Sequence, residues 1–90
     1  MKISVDISLY PLADNYLPTI DAFIKSLYKY DGLEVQTSHL STMLIGEYDV
    51  VMNALKNEVF ETLQSTNQAS FVLKILKGDA KAEVNIEPYR

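Results

Sequence analysis

The chain has 90 residues, 48% hydrophobic and 22% charged, with no cysteine. That length holds one domain, residues 1–90, and excludes a second domain, a disulfide scaffold and a thiolate metal site. Twelve acids against eight Lys and Arg give a net charge of −4, which argues against nucleic acid, because binding a phosphate backbone needs clustered cations.

Leu, Ile, Val and Phe make up 28 of the 90 residues, well above the roughly 20% below which chains stay disordered. A core is therefore expected. So short a chain buries only about 60 to 65% of its unfolded surface, so self-association into a homodimer or homotetramer is a natural remedy. The longest uncharged runs, Val35 to Gly46 and Thr62 to Leu73, are twelve residues each and too short to span a bilayer. Met1-Lys2 leads into alternating residues rather than an apolar run, so no signal peptide is visible and a cytosolic protein is expected.

In chain order, Ile3, Val5, Ile7 and Leu9 alternate with Ser4, Asp6, Ser8 and Tyr10, the period of a strand with one buried face. Pro11 is expected to end it. Asp14 or Asn15 is placed to cap a helix carrying Leu17, Ile20, Phe23, Ile24 and Leu27, with Pro18 in its first turn and an end near Asp31-Gly32. Leu33, Val35 and Thr37 begin a second strand, and Ser41 to Gly46 a third, across a Ser38-His39 corner that lacks an Asn-Gly signal and leaves the register open. Tyr48 to Gln64 has Val51, Leu55, Val59 and Leu63 at helical spacing, supported by Met52, Ala54 and Phe60. Ala69 to Leu76 reads as a largely buried strand. Gly78-Asp79 is a hairpin signal that leads into a short fifth edge strand, Ala80 to Ile86.

Strand, helix, strand, strand, helix, strand is the split βαβ pattern. It predicts an α+β, ferredoxin-like βαββαβ sandwich, an antiparallel sheet with both helices on one face and strands one and three central. Right-handed crossovers put Ile3, Val5, Ile7 and Leu9 under the helices and leave Ser4, Asp6, Ser8 and Tyr10 on the uncovered face. That face is the expected recognition surface.

The run Asp6-Ile7-Ser8-Leu9-Tyr10-Pro11-Leu12, the pair Ser41-Thr42 followed by Gly46, and the helix start Tyr48-Asp49-Val50-Val51 resemble the YkoF-like family of thiamine and hydroxymethylpyrimidine-binding proteins. The likeness runs from about Ile3 to Ile75. Some members of that family carry two tandem copies of the domain; with one copy here, pairing of two chains would supply the equivalent arrangement. The resemblance implies binding of thiamine or its pyrimidine moiety without chemical transformation, for vitamin salvage, transport or sensing.

An aminopyrimidine offers a donor beside ring-nitrogen acceptors and two stackable faces. Asp6 is a candidate acceptor for its amino group, and Tyr10 a stacking partner or a face for the thiazolium cation. Ser8, Thr37, Ser38, Ser41 and Thr42 supply hydroxyls that donate and accept. Each has a plainer role open to it: Asp6 solvated or paired to a Lys, Tyr10 an interface anchor, and the Ser38, Ser41 and Thr42 hydroxyls spent on backbone groups at the corner. His39, the sole histidine, reads as a turn residue, so no metal or other cofactor is expected. Ser41, His39 and Asp6 can be written as a triad, but no nucleophile elbow accompanies them and no enzyme is expected. Lys74 and Lys77 are the only hint of a phosphate site. The competing functional class is a homo-oligomeric assembly module with no physiological small ligand.

Overall fold

In the computed structural model, which describes residues 1–12 and 15–82, strand β1 (Lys2–Pro11) leads to helix α1 (Leu17–Leu27). Strands β2 (Glu34–Thr37) and β3 (Thr42–Glu47), helix α2 (Tyr48–Ser65) and strand β4 (Ala69–Lys77) follow. The described strands form one antiparallel sheet in the order β2-β3-β1-β4. This is the ferredoxin-like α+β fold, with β1 and β3 central.

The register fixes both faces. Ile3, Val5 and Ile7 lie opposite Gly46, Leu44 and Thr42 on one side and Lys77, Ile75 and Leu73 on the other. Thr37 pairs with Thr42, which settles the hairpin. Ile3, Val5, Ile7 and Leu44 join Phe23 and Leu27 of α1 and Val51, Ala54 and Leu55 of α2 in one core cluster. Asp6 lies on the opposite, helix-free face, in a row with Gln36, Met43 and Lys74.

β1 ends at Pro11, as expected, and its hydrogen bonds explain why the strand can hold a proline there. Tyr48 N–H donates to Met1 O (2.8 Å) on the β3 side, while Gly78 N–H donates to Lys2 O (2.8 Å) and Leu12 N–H to Gln68 O (3.0 Å) on the β4 side. Peptide groups alternate sides along a strand, so odd-numbered residues of β1 face β3 and even-numbered ones face β4. The β1–β3 pairing ends at Ile7–Thr42 whereas the β1–β4 pairing runs to Pro11–Ala69. The N–H that Pro11 lacks would point to the side where no strand follows, a position where proline costs no ladder bond.

Helix α1 begins after Tyr16 with no side-chain cap, so Asn15 does not cap it, and Asp14 lies outside the described residues. It ends at Leu27, and the turn beyond uses Gly32 at φ +80°. Gly46 permits that turn to pack on β3: a Cβ there would lie 2.7 Å from the Gly32 carbonyl oxygen and 3.4 Å from Val51 Cγ2.

Helix α2 keeps most of its apolar stripe inward, with Met52 and Val59 packed against the core. Its buried residues are Val51, Ala54, Leu55, Glu58 and Thr62, while Phe60 and Leu63, expected in the core, are exposed. The buried Glu58 carboxylate accepts a hydrogen bond from Tyr30 Oη and an ion pair from Lys29 Nζ at 3.0 Å. Glu58 therefore lies on the inward face of α2 and Phe60 on the outward one. Burial pushes the Glu58 carboxyl up, but hydrogen bonds from Tyr30 and Lys29 outweigh it and hold the group below the ordinary carboxylate range.

β4 is not a largely buried strand: Val72, Leu73, Ile75 and Leu76 are 41 to 55% exposed, in keeping with its place at the edge of the described sheet, with β1 as its one described neighbour. Nor does Gly78-Asp79 open a hairpin. Gly78 O accepts from Ser4 Oγ, which accepts in turn from Ala80 N–H, both at 2.8 Å, and Lys81 Nζ pairs with Glu34 of β2 at 2.8 Å. Ser4, Ile45 and Glu34 form one row across the open face, so residues 78–81 turn inward over that row and bury Ser4, which the alternation had placed on an uncovered surface. Ala80 to Ala82 are turn and bend rather than strand, and the rest of the expected fifth strand lies outside the described residues.

Two outcomes are expected. Because Glu58 is depressed when folded, its contribution is present above the unfolded carboxyl value of about 4.3 and is lost as pH falls through the folded one. Glu58→Gln should cost about 1 to 2 kcal/mol at neutral pH and flatten the loss of stability on acidification, as read from urea midpoints at neutral and acid pH. Gly46→Ala should cost about 1 to 3 kcal/mol by overpacking the Gly32 turn, measured by thermal unfolding.

Candidate functional site

Because β3 begins at Thr42 while β1 runs on, the Ser38–Ser41 corner swings away from β1 and leaves a gap beside Ser8 to Leu12. Helix α1 roofs that gap with Ile20, Phe23 and Ile24, and Tyr16 just before the helix adds to the roof. The result is a cleft of about 430 Å³, lined by these residues, by Ile7 to Leu12 and by Thr37 to Thr42. The volume lies within the usual range for small-molecule sites. Within that roof Phe23 is held by a tilted contact with Phe71 at 5.1 Å between ring centroids.

The corner is self-contained. Ser38 N–H donates to Ser41 O at 2.9 Å, and Ser38 Oγ accepts from the N–H groups of Leu40 (3.2 Å) and Ser41 (3.4 Å) while donating to Ser41 O (3.3 Å). One donor and two acceptor positions are thereby used, so the Ser38 hydroxyl builds the corner, the plainer of its two roles. Ser41 Oγ donates to the Asp6 carboxylate, which ties the corner to the middle of β1. Ser8 Oγ sits 3.5 Å from Leu40 O, and Thr37 Oγ1 3.5 Å from Thr42 Oγ1. Both separations exceed the roughly 2.5 to 3.0 Å of a good O–H···O bond, so these hydroxyls keep bonding capacity.

Of the residues read from the sequence, Ser8, Tyr10, Thr37, Ser38, Ser41 and Thr42 all line the cleft. Asp6 does not; it reaches the wall through Ser41. The concavity also differs from the expected surface: it lies at the end of the sheet, between the free edge of β1 and α1, rather than on the open face over Asp6. Pattern reading missed Tyr16, Leu40 and the α1 residues Ile20, Phe23 and Ile24. The last three carry the same signal as core, and only the unequal strand lengths distinguish a roofed gap from a filled one. His39, read as a turn residue, is one and also borders the cleft.

None of the lining residues is Lys, Arg, Asp or Glu. Lys77 pairs opposite Ile3 and Phe71 opposite Leu9, which puts Lys77 roughly 20 Å along the strand from the cleft. Lys74 lies on the open face across from Asp6. The two lysines therefore form no phosphate site at the cleft. Among the described residues no cluster of three or more His, Asp or Glu is placed to hold a metal ion, and no helix is long and apolar enough to cross a membrane.

A family model described as the YKOF-related family matches residues 2–76. The chain belongs to the YKOF-related family. No curated protein matches it. Among solved structures it is similar to the hypothetical protein MJ1052 of Methanocaldococcus jannascii, with 27% identity, a TM-score of 0.74, and coverage of 98% of this chain and 91% of the other. It is also similar to protein SP2199 of Streptococcus pneumoniae, with 26% identity, a TM-score of 0.80, and coverage of 89% and 90%. A Thermotoga maritima protein named as a candidate thiamine biosynthesis/salvage protein shares the fold at 22% identity and a TM-score of 0.75, with both chains covered in full. The YKOF-related match takes in β1, the Ser38–Ser41 corner and α1, which is to say every element that walls the cleft.

Proposed function

We propose that this protein binds thiamine or its hydroxymethylpyrimidine moiety in the cleft beside β1, without transforming it, in vitamin salvage, transport or sensing in the cytosol. The observation that carries the reading is an aromatic- and hydroxyl-lined slot with no formally charged side chain on its walls. Such a slot suits a flat, neutral heteroaromatic ring, whose faces meet Tyr10 and Phe23 and whose edge meets hydroxyls. Family membership and the name of the Thermotoga fold relative point the same way. A nearby carboxylate, Asp6, and the net charge of −4 favour the thiazolium cation of thiamine over its phosphates. The residues at the cleft supply no activated nucleophile and no paired acid and base, which favours a binder over an enzyme.

In this reading Asp6 is a positioning residue. Its carboxylate holds Ser41, and Ser41 O closes the corner that forms the cleft wall. Self-association is the second part of the proposal. A nine-residue edge strand that exposes Leu73 and Ile75 on one face and Val72 and Leu76 on the other is the kind of edge that pairs with another chain, and a homodimer through β4, or a homotetramer built from two, would cover it. The assembly module without a ligand remains the competing reading, and the same edge supports it.

Calorimetry with thiamine and with hydroxymethylpyrimidine separates the two. Saturable heat is expected from at least one, with thiamine diphosphate at least tenfold weaker; no heat from either at millimolar concentration would leave only assembly. Asp6→Asn should raise the Kd about 3- to 10-fold, with little change in thermal midpoint, by weakening a charge-assisted bond. For assembly, Ile75→Lys combined with Leu76→Lys should yield the monomer mass of 10.2 kDa in sedimentation equilibrium, whereas the unaltered chain sediments as a multiple of it.

A further inference from the structure

Odd-numbered residues of β1 direct their peptide groups toward β3, and the last pair that β3 completes is Ile7–Thr42. The next odd residue is Leu9, whose partner, had β3 begun two residues earlier, would be Leu40. That partner is spent elsewhere: Leu40 N–H donates to Ser38 Oγ at 3.2 Å, and Leu40 O faces Ser8 Oγ at 3.5 Å. The Leu9 N–H and C=O thus have no backbone partner among the described residues, and both point into the gap that forms the cleft, which Leu9 lines. The Leu9 side chain packs against the core on the helix-facing side, at right angles to its peptide groups, so the residue is held while its peptide edge is free. Pro11, two residues on, adds a carbonyl on the same edge and no competing N–H.

A strand residue in this position offers one donor and one acceptor side by side, the pair that an antiparallel neighbour would satisfy with its own C=O and N–H. A flat molecule with a ring nitrogen next to an amino group presents the same complement. Resting on the reading of the cleft as a pyrimidine site, we infer that Leu9 reads the ligand through its backbone: Leu9 N–H donates to a ring nitrogen, and Leu9 C=O accepts from the adjacent amino group. The ligand then stands in for the missing β3 residue. Buried peptide groups left unpaired are costly, so the edge selects for molecules carrying that donor–acceptor pair and against those whose amino nitrogen bears no hydrogen. Specificity of this kind needs no charged side chain, in keeping with the neutral walls.

Amide hydrogen exchange of the full chain, followed by NMR with and without 4-amino-5-hydroxymethyl-2-methylpyrimidine, tests this. In the free protein the Leu9 amide should exchange far faster than those of Ile7 and Tyr10, which face β3 and β4. Saturation with the pyrimidine should slow Leu9 at least tenfold and leave Tyr10 unchanged, and the 4-dimethylamino analogue should bind at least tenfold more weakly. Binding with an unaltered Leu9 amide, or equal affinity for the dimethylamino analogue, would overturn the backbone role and leave the cleft as a pyrimidine site. Absence of binding by either pyrimidine would overturn both.

Discussion

A ten-residue strand lies beside a six-residue one, and the site follows from that mismatch. β1 and β3 run in register from Lys2–Glu47 to Ile7–Thr42 and then part. Had β3 started earlier, its backbone would occupy the space that α1 now roofs, and no cleft would exist. The corner that diverts the chain is stabilised by bonds that Ser38 makes within it and by the Ser41 tie to Asp6. Pro11 stands where an unpaired edge tolerates it, and among the described residues no strand pairs on that side of β1 beyond Ile7.

The two edges of the sheet's long strands are divided between two tasks. On the β3 side, the free part of β1 opens into the proposed ligand site. On the other side, β4 covers the whole length of β1 and offers an apolar outer edge of its own. The proposed binding and self-association would therefore use opposite sides of one strand pair, and neither would obstruct the other. The open face is narrowed between them: residues 78–81 cross the Ser4–Ile45–Glu34 row, which explains why Ile45 is buried although it lies outside the main core cluster.

Much of this was legible from residue patterns. The alternation of Ile3, Val5, Ile7 and Leu9 fixed the helix-facing side of β1, and the six elements appear in the expected order. What failed did so for tertiary reasons. Phe60 and Leu63 carry core chemistry, but beyond Leu55 the buried positions of α2 are Glu58, held by Tyr30 and Lys29, and Thr62, and both apolar residues are exposed. The apolar run of β4 signals burial, and only the strand order shows that it lies at an edge. Gly78-Asp79 signals a hairpin, yet the Ser4 hydroxyl captures the turn and sends it across the sheet. The cluster of hydroxyls and Tyr10 was visible from composition and spacing. Its location was not, because the cleft depends on where β3 begins relative to Ser8, and the Ser38–Ser41 corner has no strong turn signal to fix that register.

The central claim is that the gap beside β1 is where the pyrimidine goes. A crystal structure of the protein with hydroxymethylpyrimidine tests it most directly. The ring should lie between Leu9 and the Ser38–Ser41 corner, beneath Phe23 and Ile20 of α1. A ring lying on the open face over Asp6 and Met43, with the cleft filled only by solvent, would contradict it.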